Sequence, residues 1–409
     1  MNNLSIAAAS RTVFKNIKRN ILTILQGIKI KRDPSIWLFG AWMGNRFADN
    51  SRFLFQYLAE QGEKYGISEV IWATRSENVY NEVTAMGYKA VIIGTKESNY
   101  YHLIAGVHII CNSAYTDIDS DRSAGAIKIQ LWHGVGGCKA VGRLNRDKTT
   151  IKQTLADIFI WPFYTPGNWH NSYYLASSKE NRRIVKGEHG CRDNHIFEAI
   201  TPRLCPCVKY KPDEIKLIEK IIEIKKNGKK VILYLPTFRT NVGDIIYPLA
   251  IKDVQTFIKD NHLLWLQKQH FVASDNLGGF NCDGIVNLSQ DFDVNTLYDY
   301  IDLLITDYSS AASDAIFHGA RTMEYCPDMD DYVSSNRKFV ADFSLYHPEK
   351  TIIKPEEFLQ SLIERLEPMT NQNKNRYQEV KNLLFDSHSN SYDDFMIVLL
   401  RAIKLRITL

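Results

Sequence analysis

No apolar run of about 18–20 residues occurs anywhere in this chain of 409 residues, so nothing in it reads as a membrane-spanning helix. The start lacks the apolar core and small-residue cleavage site of a signal peptide. Cysteine is sparse and unpatterned. Seven are scattered, and the one close pair, Cys205-Pro206-Cys207, has a spacing that fits neither a zinc knuckle nor a C-x-x-C redox pair. All seven read as reduced, structural thiols of a cytosolic chain. H-E-x-x-H, D-x-D, Walker and G-x-G-x-x-G sequences are missing at any suitable place. No metal or cofactor is therefore expected, and the lack of D-x-D argues against metal-dependent sugar transfer. Internal repeats and low-complexity tracts are absent too.

Acid is missing from one stretch in particular. Residues 1–32 carry Arg11, Lys15, Lys18, Arg19, Lys29, Lys31 and Arg32 and no Asp or Glu, in a chain whose net charge is +4. The remainder is slightly acidic. Val13, Phe14, Ile17, Ile21, Leu25 and Ile28 recur at spacings of three and four, the helical period. A basic amphipathic helix suits a membrane surface rich in anionic lipid. The alternative is a helix packed on its own domain. A nucleic-acid partner is not expected, because no second basic patch with interleaved aromatics follows.

At this length two domains are expected, since one core rarely grows past roughly 250–300 residues. From Asp33 the pattern alternates. Apolar runs at 36–42, 68–74, 89–94, 106–112 and 126–132 read as buried strands, with helices at 50–65, 77–87 and 97–105 between them. A helix near 179–188 and a strand near 195–200 follow. After a linker near 203–211 the alternation resumes. Helices are expected at 212–226, 251–260, 294–300 and 309–318. Strands are expected at 230–235, 263–269, 284–288, 302–306 and 322–326. The tail from 355 reads as helical. Near-continuous apolar strands alternating with helices predict an α/β protein of two doubly wound, Rossmann-like domains facing a cleft. The divisions are 1–32, 33–208, 209–354 and 355–409.

Ligands of open parallel sheets bind beyond the carboxyl ends of the strands, so the residues there are the candidates. Strand 126–132 runs into Trp132-His133-Gly134, with Lys139 beyond. Strand 195–200 runs into Thr201-Pro202-Arg203, strand 230–235 into Pro236-Thr237-Phe238-Arg239, and strand 263–269 into His270. Strand 302–306 ends at Thr306 and runs into Asp307-Tyr308-Ser309-Ser310, before a short helix that carries Asp314. Hydroxyls and backbone N–H groups at a helix start suit a phosphate, although a plain N-cap looks the same in sequence. A neutral imidazole at His133 suits proton acceptance from an attacking hydroxyl. His270 suits a phosphate oxygen or a leaving group. Arg239, Arg203 and Lys139 suit the neutralisation of diphosphate charge. Asp307 reads as a structural cap, with a ribose or metal contact as the other option. Asp314 sits within reach of a nucleotide.

Together these motifs resemble the CDP-glycerol glycerophosphotransferase family of teichoic-acid and capsule synthesis. The resemblance rests on Trp132-His133-Gly134, Pro236-Thr237-Phe238-Arg239, His270 and Ile305-Thr306-Asp307-Tyr308-Ser309-Ser310, in that order. Asp49-Asn50-Ser51 and the stretch 328–332 add to it. The resemblance implies a GT-B-type fold and a CDP-glycerol or related CDP-polyol donor. It implies attack by a polymer hydroxyl on the phosphorus nearest the glycerol, with release of CMP. His133 would be the base, and His270, the second catalytic residue, a contact of the donor diphosphate. Arg239, Thr237, Thr306, Asp307, Ser309, Ser310 and Asp314 would meet the donor, and Gly134, Lys139 and Arg203 the acceptor or a phosphate. Work at the cytoplasmic membrane face, as a peripheral protein, is implied as well. The sequence departs from the family pattern after Gly134, where Val135-Gly136-Gly137-Cys138 stands in place of Thr-Pro-Leu. Two other classes fit the residues: a nucleotide-sugar glycosyltransferase of the same fold, and a non-catalytic scaffold of envelope-polymer synthesis.

Overall fold

The computed structural model describes Ile21, Leu25 and residues 29–113, 116–135, 139–145, 172–237, 246–268, 284–335, 338–386 and 391–404. Most of the basic amphipathic segment, together with Arg239 and His270, lies outside the described residues.

The first half of the chain builds a sheet of seven parallel strands. In chain order the elements are β1 (Asp33–Phe39), α1 (Asp49–Gln61), β2 (Glu69–Thr74), α2 (Glu77–Ala85), β3 (Ala90–Ile92), α3 (Lys96–Ile104), β4 (Ala105–Ile110), β5 (Ile127–Gln130), β6 (Ser172–Ala176), α4 (Lys179–His189) and β7 (Ile196–Glu198). The sheet order is β3-β2-β1-β4-β5-β6-β7. Strands such as Glu69–Thr74 and Ala105–Ile110 are buried almost end to end, as parallel strands covered on both faces must be. Around β1 the core is aromatic. Phe47 and Phe55 pack edge-on against Trp72, at 4.7 and 5.5 Å between ring centres. This geometry suits the ring quadrupoles.

The second half builds five parallel strands. Its elements are α5 (Pro212–Lys226), β8 (Val231–Leu235), α6 (Val254–Asp260), β9 (Leu264–Gln267), β10 (Ile285–Asn287), β11 (Leu303–Thr306), α7 (Ala311–Phe317), β12 (Arg321–Glu324) and α8 (Met329–Ser335). The sheet order is β10-β9-β8-β11-β12. In each sheet the order reverses beside the first strand, between β1 and β4 and between β8 and β11. These are the switch points where crevices open.

Three helices close the chain: α9 (Phe358–Leu366), α10 (Asn371–Leu384) and α11 (Tyr392–Ala402). Phe358 and Leu362 of α9 join the core of the second sheet. The other two helices return to the first. Ser177 donates to the Leu384 carbonyl, Phe395 meets Phe197, and Tyr392 stacks on Tyr57 at 4.3 Å.

Two expectations need correction. β6 had no counterpart in the sequence reading, because Ser-Tyr-Tyr-Leu-Ala mixes buried and half-buried positions without a turn signal. The helix expected at 294–300 is a single 3-10 turn, Val294–Thr296, started by Asp293 accepting from the Asn295 amide. Asp293 is a good cap, but the segment after it is too short for an α-helix.

Candidate active site

The first wall of the cleft forms at the β1/β4 switch. Beyond β1, Trp42 and Met43 turn through left-handed backbone, with φ of 45° and 60°. Beyond β5, Trp132 does the same at 59°, and Asp49 opens α1 at 66°. Such residues cost about 1–3 kcal/mol each and persist only where their surroundings hold them. Trp132 is held from both sides. Its amide donates to Gln130 Oε1 (3.1 Å), and its carbonyl accepts from Asn50 Nδ2 (2.9 Å).

This turn delivers His133 into the cleft. Nδ1 donates to the Cys111 carbonyl at 3.0 Å, which fixes the tautomer and leaves the Nε2 lone pair free. The ring lies between Trp132 (4.3 Å) and Trp42 (5.3 Å). Burial pulls its pKa below the ordinary value, Asp49 opposes, and Arg203 and Lys139 add to the fall. His133 is thus a neutral base at neutral pH. On the same wall Glu188 is buried, and its pKa is pushed up to about 7 despite the opposing Val141 amide.

The second wall forms at the β8/β11 switch. Thr237, Ser309 and Ser310 line it. Ser309 Oγ accepts from the Ala311 amide at 3.2 Å, as a helix-start hydroxyl does. Lys139 reaches across from the first wall and donates to Thr237 Oγ1 at 3.2 Å. The walls touch at Gly134, where a Cβ would stand 2.2 Å from Ser310 Oγ and 2.9 Å from its Cβ. No other residue fits there without moving the walls. The space between them is about 1040 Å³, at the upper end for a small-molecule site.

A buried ion network joins the halves beneath this floor. Arg203 donates to Asp49 Oδ1 (2.8 Å), to the His133 carbonyl (2.8 Å) and to Asp314 Oδ2 on α7 (2.6 Å). Arg52 forks onto both oxygens of Glu214 at 2.6 and 2.7 Å, and lies 3.4 Å from Asp293. Asp293 also accepts from the Asp49 amide at 3.0 Å. All six side chains are at most 4 % exposed. Burial raises the Asp314 pKa against the pull of Arg203. Burial works the same way on Asp293, but Arg52 and Lys211 win and hold it low.

The expected residues therefore divide. His133, Gly134, Lys139, Thr237, Ser309 and Ser310 converge on one cleft. Thr306 does not, because its hydroxyl donates to the Leu235 carbonyl at 2.6 Å inside the second sheet. Asp307 has the structural role, since its carboxylate accepts from the Thr237 and Tyr308 amides. Arg203 and Asp314 reach the cleft edge, but they spend their charges on each other and on Asp49. Arg203 is a tie between the walls, not an open phosphate cation. The sequence reading did not single out Trp42, Arg46, Glu188, Lys268 or Asp293. Only the positive φ of Trp42 and the burial of Glu188 would have marked them, and neither is visible in sequence. Among the described residues no group of three or more His, Cys, Asp and Glu is placed to hold a metal ion.

The profile of the CDP-Glycerol:Poly(glycerophosphate) glycerophosphotransferase family matches residues 22–395. The chain belongs to this family. It is an enzyme of teichoic-acid type synthesis that transfers a polyol phosphate to a polymer. It is 21% identical over 359 residues to the teichoic acid poly(glycerol phosphate) polymerase of Bacillus spizizenii, covering 81% of this chain and 84% of that one. It is 26% identical over 316 residues to the teichoic acid glycerol-phosphate primase of Bacillus subtilis, covering 73% and 75%. Its fold matches the solved wall teichoic acid polymerase TagF with a TM-score of 0.66, at 19% identity over 97% of each chain. A protein of Listeria monocytogenes assigned as a UDP-N-acetylglucosamine 2-epimerase shares the fold more loosely. Its TM-score is 0.52 at 10% identity, over 93% of this chain and 98% of that one. The two-domain GT-B-type architecture inferred for this family is the one seen here.

Proposed function

We propose that the chain moves glycerol phosphate, or a related polyol phosphate, from a CDP-linked donor to a terminal hydroxyl of a teichoic-acid or capsular polymer. His133 Nε2 takes the proton of the attacking hydroxyl. That oxygen bonds to the phosphorus nearest the polyol. The bond from this phosphorus to the bridging oxygen breaks, and the oxygen leaves with its electron pair on CMP. Thr237, Lys139, Ser309 and Ser310 hold the diphosphate and offset the charge gathering on it. Residues 209–354 hold the nucleotide, and 33–208 the acceptor. Arg239 and His270 complete the donor side.

One observation carries this reading. A neutral imidazole of fixed tautomer faces a row of hydroxyls on the opposite wall, an ammonium from the imidazole's own wall reaches across to one of them, and the walls meet at Gly134 and Ser310. Base and phosphate site then face each other across the Gly134–Ser310 contact. The reading also places the protein at the cytoplasmic face of the membrane. The support is the basic, apolar-faced composition of residues 1–32, with no helix among the described residues long and apolar enough to cross.

The test is CMP release from CDP-glycerol, and in parallel from CDP-ribitol, with a teichoic-acid primer as acceptor. His133→Ala should lose roughly 10²–10⁴-fold in kcat and keep its donor affinity. The pH profile of the wild type should fall on the acid side only below the ordinary histidine range, because burial keeps His133 neutral above it. Release of a nucleoside diphosphate in place of CMP would mean sugar transfer. Near-normal turnover by His133→Ala would remove the base from the mechanism.

A further inference from the structure

Two cations in the cleft have no part in the transfer step. Arg46 stands on the first wall and Lys268, just past β9, on the second; both line the cleft. Arg46 Cζ lies 5.5 Å from the Trp42 ring centre, and no carboxylate pairs with it among the described residues. Lys268 Nζ donates to the Phe292 carbonyl, and among the described residues no carboxylate lies within ion-pair distance of it. Of the neighbouring charges, Lys211 pairs with Glu82 and Asp293 is shared by Arg52 and the Asp49 amide, while Asp291 lines the same cleft and its charge acts on Lys268. The two free cations feel each other. Lys268 is pushed down to about 8, by burial first and by Arg46 next, with Asp293 and Asp291 opposing. Like charges brought together from two domains are unfavourable unless an anion lies between them.

The position of this pair suits one kind of anion. β9 lies two strands from β11, and Gln267 and Ile305 both pair with Tyr234, so Lys268 is ~10 Å to the side of Thr306, the strand end that runs into the Ser309–Ser310 turn. On the other wall only Trp42 separates Arg46 from His133, with its ring centre 5.3 Å from the His133 ring centre. A polyol phosphate acceptor offers a hydroxyl to the base and, one alcohol unit behind it, a phosphodiester. The geometry points to Arg46 and Lys268 as a phosphate subsite that grips the acceptor chain behind its terminal unit. This rests on the polymer-acceptor reading above. The donor diphosphate, in contrast, sits at the β8/β11 switch with Thr237, Ser309 and Ser310. A cation from each domain then makes acceptor binding a bridge across the cleft, and favours a chain already carrying phosphate over a bare alcohol.

The test is calorimetric binding of a short oligo(glycerol phosphate), and separately of CDP-glycerol, to wild type, Arg46→Gln, Lys268→Gln, the double variant and Arg46→Lys. Each glutamine should weaken oligomer binding by about tenfold, and the pair by more, since charge-assisted contacts to phosphate are the strong ones. CDP-glycerol affinity should stay within a few fold, and Arg46→Lys should recover part of the loss. Unchanged oligomer affinity in the double variant overturns the subsite. So does a loss that falls on CDP-glycerol instead, which would assign the cations to the donor. A wild type that binds the oligomer through these residues yet releases no CMP would sink the transfer reading and leave the subsite standing.

Discussion

Glu188 shows how one residue's surroundings set its chemistry. It sits at the end of α4, is 7 % exposed and faces the cleft. Burial raises its carboxyl from the ordinary 4.5 to about 7. A raised acid gives stability that is present in full below the unfolded pKa and is lost as pH climbs through the folded one. Thermal stability should therefore fall between about pH 4.5 and 7, by at most about 3 kcal/mol from this group. Glu188→Gln should flatten that part of the curve. Melting temperatures at several pH values check it, and an unchanged slope in the variant would refute the assignment. His133 answers to the same force with the opposite sign, because burial disfavours the charged form of either group.

α1 is the element that does most to join core and site. Its far face carries Leu54, Phe55 and Leu58 into the aromatic core. Its first turn supplies Asp49, Asn50 and Arg52 to the ion network and to the Trp132 carbonyl. A polar first turn at the end of an apolar helix is visible in sequence, but its partners are not. α11 works at a distance. Phe395, Met396 and Leu399 are fully buried against the first sheet, though the chain reaches them only after completing the second. Phe395→Ala should cost about 3–5 kcal/mol in denaturant unfolding. A cost below ~1 kcal/mol would mean that the return of α10 and α11 adds little to stability.

Across the whole molecule the Arg203 tie decides how the walls meet. It is the same guanidinium that holds the His133 carbonyl on one side and Asp314 of α7 on the other. Breaking a buried pair by removing one partner typically costs about 3–5 kcal/mol. A misplacement near 1 Å costs about 10² in rate. Arg203→Lys keeps the charge but loses the fork. It should lower kcat by roughly 10–10² while leaving donor binding little changed. Equal loss in kcat and donor affinity would mark a general collapse of the cleft. The measurement is steady-state CMP release, beside donor binding by calorimetry.

Periodicity alone determined the parallel, doubly wound character of both halves. Runs such as Val231–Leu235, buried but for its last residue, and Leu303–Thr306, buried throughout, can be little else. Four short motifs in order carried the resemblance to the family and, through it, the reaction class; all four stand at strand ends, where such folds bind ligands. β6 escaped, since tyrosines half-buried at a sheet position look like loop residues in sequence. Tertiary structure alone decided which polar groups face the cleft. Thr306 and Ser309 are three residues apart and equally suited to phosphate on paper, yet one hydroxyl is bound to Leu235 and the other opens on the cleft. Arg203 read as a phosphate cation until Asp49 and Asp314, 154 and 111 residues away in sequence, claimed it. A side chain's charge is written in the sequence, but whether it is spent depends on partners that only folding brings near.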